Sequence, residues 1–227
     1  MSAHVITSLT LGGFDHLSPH ARQCVFWEMD PTALHNARGF CDQEFEKEAW
    51  LSMVMLEWGS CGQVAVRDGV PLGSALYAPP RSIPRSQLFP TSPVSSDAVL
   101  LTSLRVEPVA ADDGLASDLI AAVVTDLVRR GVRALEAFGI RHDSLEPAND
   151  SPTATAALEC SPRTCMIDAE FLEDHGFEVV APHHRYPRLR LELNRDHEWK
   201  VDVEEALDRL LKAASIEMVE MSELTRV

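Results

Sequence analysis

A turn around Gly114 carries the clearest chemical signal in the chain. It lies between an apolar run, Ala98 to Val106, and a segment whose apolar residues recur at helical spacing. Pro108 cannot donate to a ladder, so it ends the predicted strand. Asp112, Asp113 and Gly114 then open the predicted helix, whose first N–H groups have no partner within the helix. Because such an N-terminus attracts anions, the turn predicts a phosphate-type binding site.

A second set of chemically capable side chains is formed by the five cysteines, which are Cys24, Cys41, Cys61, Cys160 and Cys165. They form no C-x-x-C pair, and their odd number at scattered spacing suits reduced thiols in a reducing compartment. Cys160 and Cys165 could join nearby histidines on a metal ion. Structural zinc sites, however, favour tighter and paired spacings. We therefore predict that the chain has no metal site.

The histidines support the same expectation. His183 and His184 adjoin a predicted strand, where neighbours point to opposite faces and do not easily share one metal ion. His175 precedes Gly176 at a predicted helix end, where a cation interacts favourably with the helix dipole.

The elements that position the Gly114 turn follow from hydrophobic periodicity and turn residues. Asp68-Gly69 is a strong hairpin signal between two apolar runs, and Gly131 is predicted to end the helix that Gly114 opens. The predicted strands are Val5–Leu11, Gln63–Val66, Leu72–Ala78, Ala98–Val106, Val132–Phe138, Phe177–Val180 and Pro187–Leu193. The predicted helices are Leu17–Trp27, Asp30–Trp58, Leu115–Val128, Ile167–His175 and a charged C-terminal helix.

Two long segments have loop composition. Ala78–Asp97 contains five prolines beyond the paired strand, which excludes the interior of an ordinary helix or strand. It is either a mobile insertion or a lid over a site, and the sequence leaves both open. Ile140–Pro162 is a second polar loop, rich in Ser, Asp, Pro and Thr.

Length and charge narrow the class of protein. With 227 residues, 45% of them hydrophobic, the chain can bury a substantial core as one domain. A formal net charge of −15 argues against nucleic acid or an anionic membrane as partner and is compatible with a cationic or amine substrate. The sequence shows no membrane-spanning run and no secretory signal at its start, so we predict a cytoplasmic protein.

The order of elements, with three local motifs, resembles the GNAT superfamily of acyl-CoA-dependent N-acyltransferases. After its fourth strand that family has V-x-P, a few residues, then Q/R-x-x-G-x-G/A opening a helix. Val106 and Pro108 match the first part, and Gly114 and Ala116 match the glycine and small-residue positions. FLEDHGF, from Phe171 to Phe177, is similar to the family's F-Y-x-x-x-G-F junction.

The resemblance implies an α/β (α+β) fold with a mixed, mostly antiparallel central sheet flanked by helices. The fourth and fifth strands of this sheet would splay apart. The resemblance is strongest over residues 63–193 and implies a single acetyltransferase domain over residues 1–200, with a C-terminal helical extension over 201–227.

The resemblance also implies an activity, which is acetyl transfer from acetyl-CoA to an amine by direct attack. The amine would belong to a small molecule or a protein, and the chain could form a homodimer. Leu104 and Val106 would pair with the pantetheine arm, and the turn would hold the pyrophosphate. The residues implied in cofactor binding are Leu104, Arg105, Val106, Ala111, Asp112, Asp113, Gly114, Leu115, Ala116 and Ser117.

Three residues depart from the family pattern. Ala111 stands at the Q/R position, and Asp113 precedes the glycine, where its carboxylate opposes phosphate. Asp112 and Asp113 also suit helix capping. Arg105 or Arg141 could supply compensating charge. Leu172 stands where many members have the tyrosine that protonates the leaving thiolate, and Tyr77 and Tyr186 match no acid position, so the acid stays unassigned.

The general base is equally open. Glu28, Glu57 and Asp97 are the acidic residues that could face the cleft, although a solvated surface role suits each of them too. Cys165 precedes FLEDHGF at a predicted helix N-terminus, which lowers a thiol pKa, and we interpret it as buried and inert. A non-catalytic GNAT-like module that binds CoA or a protein partner is the alternative function.

Overall fold

The computed structural model describes residues 4–30, 42–111, 114–142 and 160–193. In these residues eight strands form a sheet in the order β1-β2-β3-β4-β5-β8-β7, with β6 paired to β5. The strands are β1 Val5–Ser8, β2 Gly62–Arg67, β3 Val70–Ala78, β4 Ala98–Val106, β5 Ala134–Ile140, β6 Ile167–Asp168, β7 Glu178–Ala181 and β8 Arg188–Glu192. The helices are α1 Pro19–Gln23, α2 Gln43–Trp58, α3 Leu115–Arg129, α4 Pro162–Cys165 and α5 Ala169–Asp174.

The sheet is mixed and mostly antiparallel, as the resemblance implied. Only β4 with β5 and β5 with β6 pair in parallel among the described strands. Helix α3 packs on β2, β3 and β4, whereas α5 packs on β5, β6 and β8. No helix in the described residues is long and apolar enough to cross a membrane.

The strand–turn–helix–strand unit at the centre of the sequence is confirmed. Helix α3 buries the predicted apolar face, including Leu115, Leu119 and Val123. At its end Gly131 has a positive φ of 74°. The Gly131 N–H donates to the Val128 carbonyl, and the next N–H donates to the Leu127 carbonyl. This hydrogen-bond pattern satisfies the last carbonyls of the helix and requires a left-handed residue, which explains the glycine.

The predicted hairpin is confirmed as β2 and β3. Asp68 has φ 51° and Gly69 has φ 80°, so both turn residues are left-handed. That turn matches the right-handed twist of the flanking strands, and Asp-Gly is the pair that tolerates it.

The proline-rich segment between β3 and β4 packs against the core. It forms two short 3-10 turns, Pro80–Ser82 and Pro84–Leu88, and its Ile83 side chain is fully buried. Phe89 stacks against both Trp27 and Phe138, at ring-centroid distances of 5.2 and 4.6 Å. The prolines prevented helix and strand, but the apolar residues between them complete the core.

Two predicted helices are shorter than expected. The first, α1, spans only Pro19–Gln23, with Ser18 as its N-cap. The segment predicted as one helix from Ile167 begins with the two-residue strand β6, and helix α5 follows with Asp168 as N-cap. Cys165 therefore ends the separate helix α4 instead of opening the helix of FLEDHGF.

Several predictions fall outside the described residues. They concern the first part of the helix from Asp30, the residues Asp112 and Asp113, most of the second polar loop, and the C-terminal helix over 201–227.

A substitution at Gly139 in β5 tests how closely α5 packs on the sheet. A Cβ at this residue would lie 2.9 Å from the Ala169 Cβ, 3.0 Å from the Ala169 Cα and 2.8 Å from a Leu189 methyl carbon. We expect Gly139→Ala to lower the free energy of unfolding by about 1–3 kcal/mol, because the helix backbone would have to move. Urea denaturation measures this. Gly12→Ala is the matched control, since a Cβ there meets nothing within 4 Å; equal effects would contradict the close packing.

Candidate functional site

The fourth and fifth strands separate beyond their first three residues. Within the described chain, the pairing of β4 with β5 runs from Ala98–Ala134 to Leu100–Glu136. Further along, Gly139 lies in β5 and Arg141 directly follows it. Their N–H groups donate to the carbonyls of Pro187 and Arg185, which precede β8. Strand β6, which pairs at Gly139 and Ile140, therefore lies on the edge of β5 that faces β4. The second half of β4 is left with an edge that no described strand covers.

A bulge at Thr102 explains why β4 separates from β5. Leu76 of β3 pairs with Ser103, whereas Tyr77 pairs with Leu101, so Thr102 is the extra residue. Its hydroxyl donates to the Leu76 carbonyl at 2.9 Å and holds the bulge in place. A bulge bends its strand and increases the local twist, which turns the rest of β4 away from β5.

The register of β4 shows which backbone groups face the gap. The Glu107 N–H donates to the Leu72 carbonyl at 2.8 Å, so these two residues form a hydrogen-bonded pair. Such pairs alternate along an antiparallel ladder. Ser103 and Arg105 therefore bond to β3, and the N–H and C=O groups of Leu104 and Val106 point away from β3 into the gap.

The turn at the end of β4 presents a helix N-terminus. Gly114 is the N-cap of α3, with φ 70°, and it contributes no side chain. The N–H groups of Ser117 and Asp118 donate to the Gly114 carbonyl. The preceding two, of Leu115 and Ala116, lie in the first helical turn, where a helix supplies no acceptor. The geometry suits an anion at this end of the helix.

Ser117 is held by a side chain from another element. The His175 Nδ1 contacts the Phe171 carbonyl at 2.7 Å, and its Nε2 contacts the Ser117 hydroxyl at 2.8 Å. A carbonyl can only accept, so Nδ1 carries the proton and Nε2 accepts from Ser117. His175 also stacks on the Phe171 ring at 4.1 Å. Its role is to tie the end of α5 to the start of α3.

The two arginines expected to compensate for Ala111 are each paired with a carboxylate. Arg105 lies 3.5 Å from Glu107, and Arg141 forms an ion pair with Glu173. Ala111 itself is exposed.

A narrow cavity of about 30 Å³ lies at the splayed half of β4. That volume holds about two water-sized groups. Ser103, Leu104 and Arg105 form one wall. The other walls are formed by side chains from α1 and its exit, from α2 and from α4, and they include His20, Cys24, Trp27, Lys47 and Cys165.

A buried ion pair stands beside this cavity. Lys47, which lines it, bonds to one carboxylate oxygen of Glu28, and both side chains are at most 3% exposed. The other oxygen accepts from the Trp27 N–H at 3.2 Å. Burial raises the pKa of Glu28, while the charge of Lys47 opposes that rise. With both oxygens engaged, Glu28 is placed to support the wall of the cavity.

The two other base candidates do not face the cavity. Glu57 is exposed on α2. Asp97 precedes the first residue of β4, at the end opposite the splay, and its carboxylate bonds to Arg190 at 3.0 Å. These bonds hold the pKa of Asp97 below its usual range. Glu57 and Asp97 therefore have the solvated surface position that also suited them in the sequence, and neither lines this cavity.

The structure also shows where the family's general-acid position and the candidate Tyr77 lie. Leu172 is fully buried in the core, so the position of the family tyrosine packs here instead of reaching a substrate. Tyr77 is buried too, and it donates to Asp126 at 2.8 Å and accepts from Gln63 at 3.0 Å. Burial raises the pKa of Tyr77. Its full burial and its two hydrogen bonds to side chains indicate a structural role.

Four side chains that can bind metal meet at the wall of the cavity. They are His20, Cys24, Cys160 and Cys165, and their ligand atoms all lie within 4.8 Å of one another. The Cys160 and Cys24 thiols hydrogen-bond to Cys165 and lower its pKa, and the pKa of Cys160 is raised in turn. From the sequence, only Cys160 and Cys165, with nearby histidines, were candidate ligands. A signal that could have added the other two is the short spacing of His20 and Cys24, which three residues separate.

No protein-family model matches the sequence, and no curated protein matches it either. Solved structures do. An N-acetyltransferase from Staphylococcus aureus Mu50 is 16% identical, with a TM-score of 0.51 over 85% of this chain and 100% of that one. The loading GNATL domain of CurA from Lyngbya majuscula is 11% identical, with a TM-score of 0.50 over 84% of this chain and 98% of that one. At these identities the likeness concerns the fold.

Proposed function

We propose that this chain, which has the GNAT fold, transfers an acetyl group from acetyl-CoA to an amine. The observation that carries the proposal is the continuous path along β4. The backbone groups of Leu104 and Val106 face the gap beside β5, and the strand then leads to Gly114 and the N-terminus of α3. A substrate that combines an amide-bearing arm with a pyrophosphate fits this path.

In the proposed complex the pantetheine amides of acetyl-CoA pair with Leu104 and Val106 like an additional strand. The pyrophosphate binds the N–H groups at the start of α3, where the helix dipole favours negative charge. From Leu104 to Gly114 the site therefore uses backbone groups, which explains how it tolerates Ala111 in place of a polar side chain. The residues proposed to bind the cofactor remain Leu104, Arg105, Val106, Ala111, Asp112, Asp113, Gly114, Leu115, Ala116 and Ser117.

The thioester would lie at the cavity beside Ser103, Leu104 and Arg105. The amine lone pair attacks the thioester carbon to form the C–N bond, the C–S bond breaks, and CoA leaves as its thiolate. The nitrogen then loses one proton to water, and the thiolate takes one up to give the CoA thiol. A backbone N–H of β4 stabilises the charge that develops on the carbonyl oxygen. A thiol is acidic enough for its thiolate to leave without a strong protein acid, which is consistent with the burial of Leu172. Positioning of the two reactants supplies most of the rate.

Two features bear on the choice of substrates. A cavity of about 30 Å³ has room for a short acyl group, so acetyl is favoured over long acyl chains. The net charge of −15 attracts a cationic acceptor, as an amine is before it loses its proton.

Thermal unfolding of the full chain with acetyl-CoA tests this proposal. At a concentration 100 times the dissociation constant, a ligand of the native state adds about 2.7 kcal/mol of stability. For a chain of this size that corresponds to a rise in Tm of roughly 5–10 °C. The absence of any rise at large excess would overturn the proposal. A panel of small amines and peptides, followed by release of free CoA thiol, then identifies the acceptor class.

A non-catalytic CoA-binding module is the second candidate, favoured by the buried Leu172 at the tyrosine position. It predicts the same rise in Tm, with no thiol release from any amine in the panel. The two measurements together therefore separate catalysis from binding.

A further inference from the structure

The cluster of His20, Cys24, Cys160 and Cys165 (the Cys3His cluster) is built from two distant parts of the chain. His20 lies in α1 and Cys24 directly follows that helix, whereas Cys160 and Cys165 lie at the two ends of the segment that contains α4. Three of the four side chains are buried. The fold therefore brings four potential metal ligands together in a largely buried place.

Two distances inside the cluster are close to those of tetrahedral metal coordination. The Cys24 and Cys165 sulfurs are 3.5 Å apart, and the Cys165 sulfur is 3.7 Å from the His20 Nε2. A tetrahedral zinc with Zn–S of about 2.3 Å and Zn–N of about 2.0–2.1 Å places two sulfurs about 3.8 Å apart and a sulfur and nitrogen about 3.6 Å apart. These two distances are therefore close to those of a zinc site, and every other pair of ligand atoms lies within 4.8 Å.

With His20 and Cys24 added, the ligands form two local pairs, which is the paired arrangement that Cys160 and Cys165 lacked on their own. Cys160 and Cys165 are separated by four residues, and His20 and Cys24 by three, so each pair comes from one short local structure. Thiolate and imidazole ligands in a tetrahedral arrangement select zinc among the common divalent ions. We propose that the Cys3His cluster binds one Zn²⁺ ion through all four side chains, as a structural site beside the cavity.

The surroundings of the cluster carry the complementary charge. Three thiolates, a neutral imidazole and Zn²⁺ sum to one negative charge. Arg85 lies close enough to Cys165, Cys24 and Cys160 for charge on their sulfurs to stabilise its guanidinium. That guanidinium stacks on Phe26 at 3.9 Å, and its buried Nε has no hydrogen-bond acceptor among the described residues. Asp30 also acts favourably on this guanidinium, and the negative charge of a zinc–thiolate centre would add to its stabilisation.

Groups around the ligands help to orient them. The Thr164 hydroxyl lies 3.4 Å from the Cys165 sulfur, and the Trp27 indole N–H donates to the Cys165 carbonyl at 3.1 Å. Such outer contacts fix the direction of metal ligands.

A disulfide between Cys24 and Cys165 is the competing explanation for their proximity. It would bring the two sulfurs to about 2.05 Å. It would leave Cys160 and His20 outside the covalent link, whereas the zinc site uses all four side chains as ligands. The two explanations differ in mass and in metal content.

A zinc ion at this place would stabilise elements that are weak alone. Helices α1 and α4 have only five and four residues, too short to be stable by their own hydrogen bonds. Both contribute to the wall opposite β4. Because all four coordination positions are filled by protein, the ion stabilises the fold and takes no part in a reaction.

The test begins with the metal content of the purified full chain, measured by inductively coupled plasma mass spectrometry. We expect one zinc per chain and a lower Tm after removal with a strong chelator under reducing conditions, restored by added Zn²⁺. Addition of Co²⁺ to the metal-free protein should give the absorption bands of tetrahedral thiolate coordination. Neither measurement involves acetyl-CoA, so failure here leaves the proposed activity standing, and failure of acetyl-CoA to bind leaves the zinc site standing.

Cys160→Ser is the informative variant, because Cys160 is the least buried ligand and its loss disturbs packing least. It should lose zinc and the chelator-dependent change in Tm. Cys61→Ala is the control, since Cys61 is a fully buried cysteine outside the cluster, and burial raises its pKa to about 12. It should retain zinc. Substoichiometric zinc with no effect of added Zn²⁺ on Tm would overturn the proposal. So would iron with sulfide, or an intact mass lighter by two hydrogens.

Discussion

Gly114→Glu should weaken the binding of CoA by on the order of 100-fold or more while the chain still folds. The φ of 70° places Gly114 in the left-handed region, where a side chain costs about 1–2 kcal/mol. A Cβ there meets nothing within 4 Å, so no clash is added. The carboxylate would project from the turn proposed to hold the pyrophosphate. Two unit charges about 4 Å apart near a protein surface interact by about 4 kcal/mol, which exceeds 100-fold in affinity.

Isothermal titration calorimetry with CoA measures this effect, and Gly114→Gln is the matched control. Glutamine has the same shape and the same backbone cost but no charge, so the difference between the two variants isolates the electrostatic effect. We expect the glutamine variant to bind within about tenfold of wild type. If glutamate and glutamine weaken CoA equally, repulsion at this turn is not what matters, and unchanged affinity in both would place the pyrophosphate elsewhere.

The parts of the fold that could be predicted are those that one residue type determines locally. The predictions at Asp68-Gly69 and at Gly131 are confirmed because a left-handed backbone is needed at each place and few residues adopt it. The prediction of the buried face of α3 is confirmed because its apolar residues follow one helical period through the whole segment.

The proline-rich segment shows where local reasoning ends. Its prolines correctly excluded helix and strand, yet Ile83 and Phe89 pack in the core. Apolar residues without periodicity carry no local sign of what they will contact, because their partners come from β5 and from the exit of α1.

The candidate site also contains features that the sequence predicted and features that it did not. The turn at Gly114 was visible in the sequence, but the bulge at Thr102 was not, since an extra residue in a strand depends on the register of its neighbour. The two halves of the Cys3His cluster are well over a hundred residues apart in the chain, so only the complete fold brings them together. Only the local spacings, His20 to Cys24 and Cys160 to Cys165, could have suggested it.

No local sequence pattern predicts the buried ion pair Glu28–Lys47. Removing one partner should lower the free energy of unfolding substantially. Lys47→Met keeps most of the volume of the side chain but leaves the Glu28 carboxylate buried without its cation. We expect the free energy of unfolding to fall by about 3–5 kcal/mol, measured by urea denaturation at neutral pH. The exposed pair Arg141–Glu173 is the control, and Arg141→Met should cost at most about 1 kcal/mol. Similar losses in both variants would show that burial does not decide the effect.

The dependence of that loss on pH identifies its cause. Burial already raises the folded-state pKa of Glu28, and loss of the opposing Lys47 charge raises it further. A carboxyl whose pKa is higher in the folded state than in the unfolded state binds its proton more tightly when folded. The variant should therefore gain stability relative to wild type as the pH falls through the folded-state pKa towards the unfolded value of about 4.3. The double variant Glu28→Gln, Lys47→Met should recover most of the loss at neutral pH. A deficit that stays constant with pH and persists in the double variant would mean that packing around Lys47, and not the uncompensated carboxylate, supports this wall of the cavity.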